Sequence, residues 1–132
     1  MSRSGYYRGM PKTLPVVDMN SPICCSPVSA GVVSDEAALE IALRLKALAD
    51  PVRIRLMSML LAADGGEACT CDLAAGVSLR ESTVSHHLGQ LKKAGMVASV
   101  RRGMNVFYSA RAESLDALRL VLDPNCCTPG CD

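Results

Sequence analysis

Cys69 and Cys71 stand one residue apart in Ala68-Cys69-Thr70-Cys71-Asp72-Leu73, and together they offer two thiolates to a soft metal or metalloid. Five further cysteines occur as Cys24-Cys25, Cys126-Cys127 and Cys131, for an odd total of seven. A soft metalloid that prefers three sulfurs in a pyramid would need a third ligand beside the Cys69/Cys71 pair. Cys24 and Cys25 are the favoured source, and Cys126, Cys127 and Cys131 form a second candidate set. Four sulfurs drawn from Cys24, Cys25, Cys69 and Cys71 would instead suit Cd(II), Pb(II) or Zn(II). Residues i and i+2 diverge on a regular helix, so Cys69 and Cys71 can share one ion only through a non-helical or distorted backbone.

The compartment must keep those thiols reduced. The N-terminal stretch MSRSGYYRGMPKTLP has no apolar core of a signal peptide, and no run of about 18 apolar residues suggests a membrane span. A cytosolic protein is expected, where clustered cysteines point to metal or redox chemistry rather than structural disulfides. An enzyme of thiol type would need an oxyanion-binding loop beside the nucleophile. None is present, since Gly65-Gly66 reads only as a helix stop.

The elements that position the thiols follow from local signals. Residues 1–33 carry Pro11, Pro15, Pro22 and Pro27 with little periodicity and read as an arm. Ser34, followed by Asp35 and Glu36, is a helix start, with Leu39, Ala42, Leu45 and Ala49 at helical spacing. Asp50-Pro51 opens a second helix that runs to about Ala63, with Val52, Leu56, Met59 and Leu60 on its buried side. Glu67–Cys69 reads as a tiny strand, and Thr70 as the cap of a short helix over Cys71–Ala75, stopped at Gly76. A fourth helix spans about Glu81–Ala94, with Val84, Leu88 and Leu91 inward and Gly95 ending it. Met96–Arg101 and Asn105–Ala110 flank Arg102-Gly103-Met104 as a two-stranded wing. Leu115, Leu118, Val121 and Leu122 make a last amphipathic helix, stopped at Asp123-Pro124. The domain reading is thus an arm over 1–33, a folded unit over 34–123 and a cysteine-rich tail over 124–132.

Short helix, turn, second helix, then a hairpin is the plan of a winged helix-turn-helix, here mainly α with five to six helices. Net charge is only +1, so the whole chain does not announce nucleic acid. Between Leu79 and Gly103, however, Arg80, Lys92, Lys93, Arg101 and Arg102 face a single acid, Glu81. The positive charge is local, as a groove-binding surface requires. With no Trp, one Phe and three Tyr, a base-stacking sheet for RNA is disfavoured. On the fourth helix Thr83, Ser85, His86 and Gln90 are candidates for base edges in duplex DNA. Ser82, Lys92, Arg101 and Arg102 suit phosphates or the minor groove, and His87 a phosphate or a place between helices. His86 and His87, adjacent on a helix, diverge by about 100° and do not read as a metal pair. Leu39, Leu43, Leu115, Leu118 and Leu122 leave apolar surface on the first and last helices, and a homodimer would cover it.

Three segments carry a resemblance: Lys46-Ala47-Leu48-Ala49-Asp50-Pro51-Val52-Arg53, Cys69-Thr70-Cys71-Asp72-Leu73 and Thr83-Val84-Ser85-His86-His87-Leu88. Over about residues 37–122 the chain resembles the arsenic-sensing branch of the ArsR/SmtB family of bacterial metal-responsive repressors. The resemblance implies a homodimeric winged helix that holds a palindromic operator until an inducer binds. It also implies that the Cys-x-Cys supplies thiolates, with the remaining sulfur from an N-terminal pair in some members and a C-terminal pair in others. Two positions depart from the pattern. Arg80 stands where members commonly place a Ser ahead of the recognition helix. On the last helix Asp116 is nearly alone, without the His that the family's zinc site needs. The expectation is therefore a repressor induced by As(III) or Sb(III). The alternatives are a Cd(II)/Pb(II) sensor with four thiolates and a thiol redox-sensing repressor.

Overall fold

The computed structural model of the chain describes residues 31–123. Helix starts fall where short polar side chains can satisfy orphan amides. Ser34 Oγ accepts from the Ala37 N–H at 3.1 Å and opens α1 (Asp35–Leu48). Asp50 Oδ1 accepts from the Val52 and Arg53 N–H groups at 2.8 and 3.2 Å, and Pro51 takes the first position of α2 (Pro51–Ala62). A 3-10 turn over Asp64–Gly66 follows, with Gly65 and Gly66 at φ 71° and 75°. That left-handed backbone suits glycine. Then come β1 (Glu67–Cys69), α3 (Thr70–Val77), α4 (Glu81–Lys93), β2 (Val97–Arg102), β3 (Asn105–Ala110) and α5 (Ala112–Leu122).

The wing is larger than two strands. β1 joins it, giving an antiparallel sheet in the order β1-β3-β2. Cys69 is registered opposite Phe107, and Arg102 opposite Asn105. The core forms where α2, α3 and α4 meet the sheet: Leu56, Met57, Leu60, Leu73, Val84, Leu88, Leu91, Met96 and Val97 are all buried in one cluster. The inward faces expected for α2 and α4 are thus the ones used.

The cap and end of α3 are corrected, and the packed face of α1 and the start of α4 are made specific. On α1 the buried residues are Arg44 and Ala47, not the stripe Leu39, Ala42, Leu45 and Ala49; Arg44 is 1% exposed and pairs with Glu40 at 2.9 Å. Apolar residues surround that helix on most sides, so hydropathy leaves its rotation open and packing on α2 and α4 sets it. On α3 the cap is Cys69 rather than Thr70, and the helix runs past Gly76 to Ser78, which closes it in the left-handed conformation at φ 58°. Gly76 serves close packing instead: a Cβ there would meet the thioether of Met59. Ahead of α4, Arg80 makes no side-chain cap, and Ser78 is already engaged as the end of α3.

The Asp50 cap gives a pH test. The Arg53 amide hydrogen bond, assisted by that of Val52 and by the nearby His87 and Arg53, holds its carboxyl below the ordinary 3.8. A depressed folded-state pKa stabilises above the unfolded value and is lost as pH falls through the folded one. Wild type is therefore expected to lose more melting temperature than Asp50→Asn as pH is lowered from 5 to about 3. Parallel melting curves in acid solution would show Asp50 irrelevant.

Candidate functional site

The two thiol positions meet because one of them is not helical. Cys69 ends β1 with extended backbone (φ −79°, ψ 159°), while Cys71 lies in the first turn of α3. Their Cα atoms are 5.3 Å apart and their sulfurs are joined in a disulfide. The non-helical backbone that a shared ion requires is present at Cys69. A strand-to-helix junction already brings the i and i+2 side chains together. Cys69 is 6% exposed and its Sγ also accepts from the Asp72 N–H at 3.3 Å, whereas Cys71 is exposed. Asp72, overlooked in the sequence as a donor, completes a group with Cys69 and Cys71 whose ligand atoms all lie within 4.8 Å. Cys24, Cys25, Cys126, Cys127 and Cys131 lie outside the described residues.

This junction is tied directly to the wing. Besides the Cys69–Phe107 pairing, Thr70 Oγ1 donates to the Val106 carbonyl at 3.4 Å. Arg102 lies over the Phe107 ring, 5.2 Å from its centroid, and pairs with both carboxylate oxygens of Glu67, two residues before Cys69. The ion pair holds the Glu67 carboxyl below its usual range and raises Arg102. Apart from Arg102 over Phe107, these contacts join residues about 35 apart in the chain, and no local sequence signal announces them.

The polar residues of α4 divide by face. Ser82, Thr83, Ser85 and His86 are exposed. His87 is half-buried between helices, where its Nδ1 accepts from Arg53 Nε at 3.1 Å. Gln90 is half-buried at a depression shared with α1 and α2. Lys92 Nζ donates to Ser99 Oγ on β2 at 2.7 Å, joining helix to wing. Side chains alternate along β2, so Arg101 shares the face of Ser99 and buried Val97, toward α4. Arg102 points to the opposite face, against Phe107 and Glu67. Only Arg101 thus stands on the side of α4. Arg101→Ala is expected to make the salt dependence of DNA binding less steep by about 0.9 in log–log slope, the release of one phosphate contact. Arg102→Ala is expected to leave that slope unchanged. Equal slope losses for the two variants would refute the division by face.

Of the leucines expected at a subunit interface, Leu43 and Leu122 are exposed and Leu39 and Leu115 half-buried. Leu118 is 4% exposed and belongs to the core of the chain itself. Ile54 and Leu61 on α2, missed in the sequence, are exposed and border a depression of about 470 Å³ with Leu48 and Leu115.

The profile of bacterial regulatory proteins of the arsR family matches residues 50–99. The chain is 41% identical over 97 residues to the Transcriptional repressor SmtB homolog of Synechocystis sp., covering 67% of this chain and 71% of that one. It is 39% identical over 84 residues to the Arsenic resistance transcriptional regulator ArsR1 of Pseudomonas putida, covering 61% and 64%. It is 40% identical over 63 residues to the Cadmium resistance transcriptional regulatory protein CadC of Listeria innocua, covering 48% and 51%. Among solved structures, the AntR antimony-specific transcriptional repressor superposes with a TM-score of 0.58 at 30% identity, covering 68% and 80%.

Proposed function

The chain belongs to the arsR family of bacterial regulatory proteins and is a transcriptional repressor of the ArsR/SmtB type, not an enzyme; from that premise we propose that As(III) or Sb(III), captured by Cys69 and Cys71, releases it from its operator. The observation that carries this reading is the strand-to-helix junction at Cys69, which brings two sulfurs together and is hydrogen-bonded to the wing through β3. The donor set is soft, and a third sulfur is assigned to Cys24 or Cys25. A pull on Cys69 acts along two routes. One runs through the β1–β3 ladder to the wing, and the other through α3 to the recognition helix α4. The protein acts in the cytoplasm as a homodimer on a palindromic site, with Leu39, Leu43, Leu115 and Leu122, joined by Ile54 and Leu61, covering one another across the two-fold axis. Arsenical resistance genes are the natural target, and base edges are read by Thr83, Ser85 and His86.

A gel shift on the DNA upstream of the gene tests this. Arsenite or antimonite is expected to release the reduced protein, at concentrations where Cd(II) and Pb(II) do not. Release by Cd(II) or Pb(II) alone, with four sulfurs per ion, would replace the proposal with the reading that the cadmium-resistance relative suggests. The Cys69–Cys71 disulfide favours a second reading, a redox-sensing repressor. In that case a peroxide would release DNA and arsenite would not. Under the proposal the oxidised pair has no thiolate to offer, so the oxidised protein is expected to stay on DNA until a phosphine reductant restores its response to arsenite.

A further inference from the structure

The recognition helix α4 has two flanks, and Lys92 and Arg101 serve only the one toward the wing. Val84, Leu88 and Leu91 turn to the core, so at about 100° per residue Ser82, His86, Gly89 and Lys93 mark the outward stripe. On the flank away from the wing, α1, α2 and α4 enclose a depression of about 330 Å³. Its rim carries Lys46, Arg53, Gln90 and Lys93, its walls include Leu43 and Ala47, and no carboxylate lines it among the described residues. Arg53 is fixed in place: Nε donates to His87 Nδ1 at 3.1 Å and Nη1 to the Ala47 carbonyl at 3.3 Å. Its Nη2 has no hydrogen-bond partner among the described residues. Asp50, the acid beside Arg53, directs its Oδ1 to the Val52 and Arg53 N–H groups.

We infer that this depression is a phosphate site, holding one backbone phosphate of duplex DNA on the flank of α4 opposite the wing. A guanidinium held in place, two ammonium groups and a primary amide make a donor set for a phosphate oxyanion. The major groove is about 12 Å wide and a helix with its side chains about 10–12 Å across, so a helix seated there meets a phosphate ridge on each flank. Lys92 and Arg101 supply cations for the ridge on the wing side, and Lys46, Arg53 and Lys93 supply them for the other. Gln90 then donates to phosphate instead of reading a base edge, and the Arg53–His87 hydrogen bond positions the guanidinium. The inference rests on α4 entering a major groove.

The test is fluorescence anisotropy of labelled operator duplex with the full chain, titrated over a range of KCl. Lys46 and Lys93 are exposed, so the double variant Lys46→Gln/Lys93→Gln should fold, which a melting curve checks. Its log–log salt slope is expected to be less steep than that of the wild type by about 0.9 per chain, with at least about tenfold weaker binding in moderate salt. Gln90→Ala is expected to weaken operator and unrelated duplex by the same factor. An unchanged slope in the double variant would overturn the inference, as would a loss in Gln90→Ala confined to operator. Inorganic phosphate, added to DNA-free protein at constant ionic strength, distinguishes a free ligand. If it raises the melting temperature of wild type but not of the variant, while the DNA slopes agree, the site serves a soluble phosphate and the DNA assignment is wrong. Wild type that binds no duplex would defeat the reading of α4 itself, whereas binding with an unchanged slope defeats only the phosphate site.

Discussion

With Cys69 and Cys71 both changed to serine, the protein is expected to fold, to bind its operator, and to remain there at inducer concentrations that release the wild type. The variant separates sensing from folding because of where Cys69 sits. It caps α3, with Sγ accepting from the Asp72 N–H, and serine is among the preferred residues at that position. The start of α3 therefore survives the change, and so does the β1–β3 pairing that brings Cys69 opposite Phe107. What disappears is the sulfur pair. Moving a repressor from 99% to 1% occupancy takes about a 10⁴-fold difference in inducer affinity between the two states, or about 5.5 kcal/mol. Without the Cys69/Cys71 pair the remaining cysteines lie outside the junction and are not expected to supply a difference of that size through it. Operator affinity of the double variant, measured with and without arsenite, should agree within about twofold, against a wild-type change of at least about a hundredfold at saturation. A double variant that stays fully inducible by the same ion would end the proposal, whichever cysteines outside residues 31–123 were then responsible.

The second large effect is on stability. Leu88 is fully buried on α4 and belongs to the cluster built from α2, α3, α4 and β2. Leu88→Ala removes three buried carbons and leaves a cavity, a change that costs about 2–5 kcal/mol. Native domains are stable by only about 5–15 kcal/mol, so the variant should unfold at markedly lower urea and melt at least about 10 °C earlier. Leu61→Ala is the contrasting case. Leu61 is 55% exposed on α2, so its removal should shift the melting temperature little at low protein concentration. Its effect should appear as weaker self-association in analytical ultracentrifugation, because the proposed interface needs that surface. A large loss of stability in Leu61→Ala at concentrations where the protein is monomeric would mean that its side chain packs within the chain.

The Glu67–Arg102 pair contributes less. Both groups reach solvent, where ion pairs are screened and contribute little. Its importance is directional: it holds an arginine of the wing against the strand that leads to Cys69 and away from the side of α4.

Much of the architecture is written in short-range signals. Ser34, Asp50 and Pro51 mark helix starts because their side chains or ring suit orphan amides within three residues. The inward triad Val84, Leu88 and Leu91 follows from the helical period, and Gly103, at φ 63°, marks the hairpin turn. The proximity of Cys69 and Cys71 was equally local, once the strand before α3 is taken to end at Cys69. Other facts depended on packing. Arg101 and Arg102 are equivalent in sequence, and only the placement of β2 between β3 and α4 decides which one stands beside the recognition helix. His87 meets Arg53 across 34 residues, and Arg102 meets Glu67 across 35. Leu118 reads like its neighbour Leu122, yet one lies in the core and the other at the surface. A local pattern can say that a residue is apolar or charged and which face of its own element it occupies. Which partner that face meets is set when separate elements pack, because hydrogen bonds, ion pairs and apolar contacts across the fold act over a few ångströms in space, whatever the distance along the chain.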